Sequence, residues 1–474
     1  MKTRAFTTMV ILFWGVVLFA QNSNDAFRLS EPGIFSSAKS LGMGNALSTV
    51  GNDFSSIFLN PAGLGLFQNS EISFSAYNNN FSNDALYYGT SKKNSMDATN
   101  FSQIGIVYKM PVTRGSMVFA IGYNRIKDFN RIVEFTGFNF NNNSMIQDLT
   151  SKRSDFAYEA GVSYPVNSTT DATIFEGNLQ QEGKTTDEGG INNWSIAFAT
   201  ELQKNLFIGG TINIISGRFE RNREYYESDP YGYYSSTLTD PSDANTIGFS
   251  LFSYYDSIIW DISGWNMQLG FIYKLKDKVS LGASIAFPKR YNIKEDYTLS
   301  SYGDFQNITY ESSVGTSSYE YTVLTPYEFS FGGSYNAGKF LVSADFKYID
   351  YTQMEFTDGL TSLERSEINS SIKDNYRSVI NYNFGAEYTV ADLGLKLRAG
   401  FMMVKSPYEG DAAEYDKKFI TGGLGFPLED LELNFGFCYG WWKDYGYNYD
   451  SATTPVYQDL KSTTIMASLK YIFE

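Results

Sequence analysis

The sequence predicts an all-β protein: a membrane-spanning antiparallel β-barrel of about fourteen strands with an N-terminal plug, or hatch, in its lumen. Three observations carry this. Apolar residues alternate with period two from about residue 71 onward, and the chain beyond residue 20 has no run of the ~18 apolar residues that marks a membrane helix. Short and long connections follow one another in strict alternation. A compact segment rich in Gly and small residues, 42–64, precedes the first strand and ends in Asn60-Pro61-Ala62-Gly63.

The start reads as a secretion signal over residues 1–20. Lys2 and Arg4 precede the apolar run MVILFWGVVLFA, which is short for a spanning helix, and cleavage is expected after Ala20. The predicted division is therefore 1–20 signal peptide, 21–68 hatch and 69–474 barrel. The net charge is −15, and more acidic still without Lys2 and Arg4, which argues against nucleic-acid binding. With one cysteine, Cys438, there is no internal disulfide framework. With no histidine, Ser-His triads and His-ligated zinc or haem are excluded within the chain. The 36 Tyr and 38 Phe suit the aromatic girdles of a membrane barrel.

Residues 21–41 are polar and expected to be mobile at first. In 42–64, Pro61 donates no backbone hydrogen bond, so a central strand is disfavoured; the segment reads as a plug or as a short N-terminal cap. Strands are expected at 71–77, 102–110 and 116–126, with Asn78-Asn79-Asn80 read as a turn or loop. Residues 127–190 form a long polar region in which 154–164 reads as a strand or a short helix. The remaining strands fall in pairs: 193–202 with 207–227, 265–275 with 279–297, 327–335 with 340–356, 379–388 with 395–404, and 419–426 with 431–439. The last is 463–473. A spanning strand at 154–164 would put every later short turn on the wrong side, so that segment is placed in an external loop.

The faces agree. Met267, Leu269, Phe271, Tyr273 and Leu275 alternate with Gln268, Gly270, Ile272 and Lys274, and the strands at 340–348, 395–403 and 464–473 repeat the pattern. A soluble sandwich also alternates, but its loops are of similar length at both ends.

The segment GMGNALSTVGNDFSSIFLNPAGL resembles the N-terminal hatch of the FadL/TodX family of outer-membrane transporters for hydrophobic compounds, through Gly42-Met43-Gly44 and Asn60-Pro61-Ala62. Weaker matches are Leu324-Thr325-Pro326, Asp345, Phe384-Gly385-Ala386-Glu387-Tyr388, Leu397-Arg398-Ala399-Gly400 and Ser406-Pro407-Tyr408. The resemblance implies a fourteen-stranded barrel in the bacterial cell outer membrane, closed by the hatch. It implies passive, hatch-gated uptake of long-chain fatty acids or other hydrophobic small molecules, with release through the wall into outer-membrane lipid. The chain departs from the pattern by ending on Phe473-Glu474 and in its Asn-, Ser- and Tyr-rich loops.

Gly42, Met43, Gly44, Asn60, Pro61 and Ala62 are the gating candidates. Asn60 is expected to bond lumen backbone or an inward charge such as Arg398, and Pro61 to fix the bend; the competing reading is a purely shape-giving element. Phe252, Tyr255, Ile259 and Trp260, in the apolar stretch 251–260, are candidates for ligand capture on a short loop helix, with Phe156 and Tyr158 (and Tyr164 beyond) completing a groove. The same stretch also reads as a packed loop helix or as the interface end of the next strand. Asp345, Lys347, Glu387, Lys396 and Arg398 are expected to form a lumen charge network that holds the plug, or to supply a cation for a carboxylate. Cys438 is expected inside. No enzyme, metal or cofactor is expected, and haem uptake is disfavoured by the missing histidine. A monomer is expected. The alternative function is a structural or secretion-associated barrel that binds a protein partner.

Overall fold

The computed structural model describes residues 21–34, 37–276, 278–391 and 393–473; the expected signal peptide lies outside them. The strands are β1 (Ser70–Tyr87), β2 (Thr90–Lys109), β3 (Met117–Asp128), β4 (Arg131–Asn139), a small hairpin β5 (Tyr164–Asn167) and β6 (Thr170–Ala172), β7 (Leu179–Gln203), β8 (Leu206–Ser228), β9 (Leu251–Leu275), β10 (Val279–Ala286) and β11 (Arg290–Asp304). They continue as β12 (Thr309–Glu311), β13 (Gly315–Leu324), β14 (Glu328–Asn336), β15 (Phe340–Asp350), β16 (Glu355–Asp358), β17 (Ser378–Thr389), β18 (Lys396–Val404), β19 (Lys417–Leu428), β20 (Leu431–Gly446) and β21 (Val456–Phe473).

Neighbouring strands pair antiparallel, and β1 pairs with β21 from Ser70↔Phe473 to Leu86↔Tyr457, which closes the wall. The result is a closed fourteen-strand antiparallel barrel with an N-terminal plug. Closure leaves no free edge in hydrocarbon, where an unpaired backbone amide has no water to bond. The count of fourteen is as the sequence implied; the alternation of short and long connections fails at the first outer connection, where β1 and β2 meet in the two-residue turn Tyr88-Gly89 instead of a long loop. Met267, Leu269, Phe271, Tyr273 and Leu275 face outward, as do Phe340, Val342, Phe346, Leu397, Ile465 and Leu469. Cys438 is buried, facing the plug side of the wall with Ala38 and Leu41.

Several strands of the wall are interrupted. Phe287-Pro288-Lys289 separates β10 from β11, and Thr325-Pro326-Tyr327 separates β13 from β14. Each proline removes a ladder donor at a bend. A third interruption, Phe129-Asn130, separates β3 from β4. It matters most for the site.

Three expectations need correction. Asn78, Asn79 and Asn80 are no turn: they lie within β1, paired with residues of both β2 and β21. The stretch 251–260 is no loop helix: it is the first part of β9, paired with β8 and β11. Residues 21–41 do not begin as a loose tail: α1 (Ser23–Ser30) starts with an Asn22–Asp25 capping box and is buried through Ala26 and Leu29. The first two errors share a cause. Strands of up to 25 residues run well past the ~10 residues that cross a bilayer. Beyond the hydrocarbon they need only backbone pairing, so their apolar alternation fades.

The long connections are themselves ordered. α4 (Met145–Ser151) and α5 (Asp155–Glu159) sit over the barrel mouth, and their Ile146, Leu149 and Ala157 pack with Tyr87, Phe175 and Phe252. Segment 154–164 thus contains a helix in a long loop. A further helix, α6 (Ser362–Asn375), packs beside α1.

Candidate functional site

The plug follows α1 with two further short helices, α2 (Ala38–Gly42) and α3 (Ser56–Leu59), and a 3-10 turn over Pro61–Leu66. It rests on a seat of wall glycines. An added Cβ on Gly270 would lie 2.0 Å from Asn60 Oδ1, and one on Gly209 would lie 2.5 Å from the Pro61 carbonyl. One on Gly385 would lie 2.4 Å from the Met43 oxygen, and one on Gly400 2.4 Å from the Gly44 nitrogen. Only a wall without side chains at these points lets the two backbones approach. Gly44 itself has φ +59°, against the Phe384 and Phe401 backbone, where a side chain would be both strained and crowded.

Each gating candidate has a definite place. Asn60 caps the 3-10 turn, its Oδ1 accepting from Ala62 N at 3.1 Å, while its Nδ2 donates to Phe271 O at 3.2 Å and approaches Ala283 O. Pro61 occupies the first position of that turn, where its missing donor costs nothing. Of the two partners expected for Asn60, it has lumen backbone. Arg398 is engaged elsewhere, with Glu387 at 2.6 Å and Asn434 at 2.6 Å. Met43 and Ala62 are fully buried, and Gly42 O accepts from Thr421 at 3.2 Å.

The lumen charges divide into separate groups rather than one network. Asp345 holds the plug directly, accepting from Ser48 N at 2.9 Å and Ser48 Oγ at 2.5 Å. Lys347 instead pairs with Glu328 at 2.7 Å, which also binds Lys289 at 2.6 Å. Glu387 and Lys396 join Arg398, Glu432 and Lys470 in a cluster on β17–β21.

The capture candidates fall in two places. Phe252 and Trp260 point inward and are buried; Tyr255 and Ile259 lie on the opposite face. Trp260 Nε1 donates to Glu295 at 2.8 Å and its ring lies under Arg28 of α1. Phe156 packs against the cap core, and Tyr158 is 51 % exposed. Phe156 and Phe252 thus share the apolar cluster over the barrel mouth, whereas Trp260 belongs to a separate cluster beside α1. An aromatic group that sequence reasoning missed stands at the outer rim: half-buried Phe138 with exposed Phe140, Tyr231 and Tyr233, Phe138 lying 5.0 Å from Tyr231 and 4.7 Å from Phe140. Its signal was present, as FNF beside YGYY, but the two stretches are about ninety residues apart.

Above the plug lies a cavity of about 1190 Å³. Phe81, Phe129 and Trp442 line it, together with Glu31, Lys127 and Lys417. Phe27 of α1 is held at its edge by Tyr351, Tyr376 and Tyr408, with ring centroids 5.5–5.9 Å away. Glu31 follows α1 and receives both lysines; burial alone would push its carboxyl up, but Lys417 and Lys127 hold it down at about 2.

Beside this cavity the wall parts. β3 pairs with β2 only from Gln103↔Asn124 to Lys109↔Val118, after which β3 turns inward into β4. β2 continues to Thr90 paired with β1 alone. Asp128 bridges the parting, accepting from Asn100 Nδ2 at 3.2 Å and from the Tyr77 hydroxyl, and Lys92–Glu134 at 2.8 Å bridges it further out.

A profile described as outer membrane protein transport protein (OMPP1/FadL/TodX) matches residues 16–471. The chain belongs to this family. The family's members are outer-membrane transport channels, not enzymes, and the chain is accordingly a protein of the outer membrane. Solved structures agree on the fold. A Pseudomonas aeruginosa FadL homologue is 12 % identical, with a TM-score of 0.60 over 93 % of this chain and 100 % of its own. The P. putida toluene transporter TodX is 14 % identical, with a TM-score of 0.55 over 93 % and 99 %. The Ralstonia pickettii toluene transporter TbuX is 16 % identical, with a TM-score of 0.50 over 93 % and 99 %. No curated protein matches the chain in sequence.

Proposed function

We propose that this barrel is a passive uptake channel for hydrophobic small molecules, long-chain fatty acids among them, gated by its N-terminal hatch. The observation that carries the reading is the contiguity of three features: the aromatic cavity, the plug forming its floor, and the parting between β2 and β3 in its side. A ligand collected at the outer rim enters the cavity and leaves sideways into the bilayer once the plug shifts. Sideways exit spares an apolar molecule the polar floor, where Asn124, Asn193, Asn213 and Asn266 face the plug. The Phe138–Tyr231 cluster is the better place for first capture, because contiguous exposed apolar surface is what binds such ligands.

The test is uptake of labelled oleate by cells carrying the protein, beside cells with an empty vector and cells with Asn60→Gly, Pro61→Gly and Ala62→Gly combined. Uptake above the empty vector that changes in the variant supports the reading. No uptake of oleate or toluene by a correctly inserted, heat-modifiable barrel removes it and leaves the attachment of a protein partner as the competing function.

A further inference from the structure

The outward face of β19, β20 and β21 climbs from their short turns in regular rungs. Leu428, Leu431 and Tyr471 share the lowest rung, and Ile420, Tyr439 and Thr463 share the fifth; those between hold only apolar side chains or glycine. The next rung breaks the series. Across β18, β19, β20, β21 and β1 it reads Met403, Lys418, Trp441, Lys461 and Ser82. The stretch of β19 from Leu428 to Lys418, at ~3.3 Å per residue and a tilt of ~40°, climbs about 25 Å, the height of the apolar band of an outer-membrane barrel. The Lys-Trp-Lys rung therefore stands at the level of the outer head groups.

Its two ammonium groups have no acid to answer them. Among the described residues neither Lys418 nor Lys461 forms an ion pair, and the rung itself carries no carboxylate. Lys418 Nζ donates instead to the Ala413 carbonyl at 2.8 Å. One rung higher, Asp459 stands opposite Lys443, which binds Glu414 at 2.9 Å. Outward cations elsewhere on the wall are answered. Arg218 lies opposite Asp261 and 3.6 Å from Glu220, Lys294 stands between Asp261 and Glu320, and Arg290 binds Asp358 at 2.8 Å. Two unanswered lysines on one rung contrast with this, the more so in a chain of net charge −15.

We propose that Lys418, Trp441 and Lys461 form a binding site for a phosphorylated glycolipid of the outer leaflet, held against the outside of the wall. The proposal rests on the outer-membrane location and not on the transport reading. Strands lie ~4.8 Å apart, so the two lysines spring from points ~10 Å apart and reach one head group from either side. An ammonium group binds phosphate as a point charge. The indole between them offers its face to a sugar ring. Tyr439 stacks beside it, with ring centres 5.9 Å apart and planes 27° apart, and widens the flat surface. The acyl chains then run down over exposed Ile420, Phe437 and Ile465. A phospholipid supplies phosphate and chains but no ring for the indole, which is why the site selects a glycolipid.

The test is thermal unfolding of the full barrel in detergent micelles with added lipid A, with lipid A stripped of its phosphates, or with phosphatidylglycerol. Lipid A is expected to stabilise wild type at a concentration about tenfold lower than either of the others. Lys418→Gln combined with Lys461→Gln should need about tenfold more lipid A and leave the response to the stripped form within about twofold. Trp441→Leu, which keeps both lysines, should weaken both glycolipids and leave phosphatidylglycerol unchanged. Lys294→Gln, outside the rung, should change none of the three. If the double variant does not assemble, Lys461→Gln, on an exposed side chain, decides alone. A wild type that responds equally to lipid A and phosphatidylglycerol, or equally to lipid A with and without phosphate, overturns the site. So does a lysine variant that responds to lipid A as wild type does.

Discussion

Asn60 of the plug places its carboxamide oxygen 2.0 Å from where a Cβ on Gly270 of the wall would lie. The contact couples a motif on the plug to a bare spot on β9, and it makes the seat sensitive to a single methyl group. Gly270→Val is therefore expected to fold into a heat-modifiable barrel but to lift the Asn60-Pro61 turn. Overpacking of this kind costs about 1–3 kcal/mol. Limited proteolysis from the periplasmic side should cut residues 42–64 faster than in wild type; unchanged protection would show that the seat does not depend on close approach.

Asp345 offers a second handle on the same plug. Its two bonds to Ser48 leave a buried backbone N–H without a partner when the carboxylate is removed. Asp345→Ala should loosen the plug by about 1–3 kcal/mol, and Asp345→Asn, which keeps an acceptor, by less. Thermal unfolding of the purified barrel with protease protection of the plug reads this out. Equal effects of the two substitutions would count against the hydrogen bonds as the cause.

The parting between β2 and β3 can be locked. Asn100 and Asp128 already meet across it, so Asn100→Cys with Asp128→Cys, in a Cys438→Ser background, should form a disulfide under oxidation. Oleate uptake is expected to fall on oxidation and to recover with reductant. Undiminished uptake in the oxidised form would mean that the ligand takes another way out.

The plug's attachment through Glu31 has a defined pH window. Its carboxyl is held at about 2 against an ordinary 4.5, a depressed value, so the stabilisation is complete above about pH 4.5 and is lost as pH falls towards 2. Its size is on the order of 3 kcal/mol. The stability difference between wild type and Glu31→Gln should be constant at neutral pH and vanish near the bottom of that window. A difference that instead disappears between pH 6 and 8 would assign it to another group.

Much of this was legible before the structure. Within the hydrocarbon each strand must turn one face to lipid, so the alternation at 267–275 or 340–348 survived in plain view. So did Asn60-Pro61-Ala62, because capping and a fixed φ are local properties. What was hidden depends on register. Gly209, Gly270, Gly385 and Gly400 mark a seat only once their strands are aligned. Glu31 meets partners 96 and 386 positions away, a distance no spacing rule reaches. The stretch 251–260 misled because a strand outside the membrane, apolar on both faces for different neighbours, shows the composition of a packed helix.

The closing pair of strands has a further consequence for how the molecule comes into being. Ala38 N, near the beginning of the chain, donates to Ser468 Oγ on β21, and β21 must itself find β1. A segment made early therefore has its berth completed by one made 430 positions later. Such contacts carry a large loop-closure entropy and are slow to form. Until they do, residues 38–64 remain an apolar segment without a surface to cover them, so the interval between export and closure is when this protein most needs an escort.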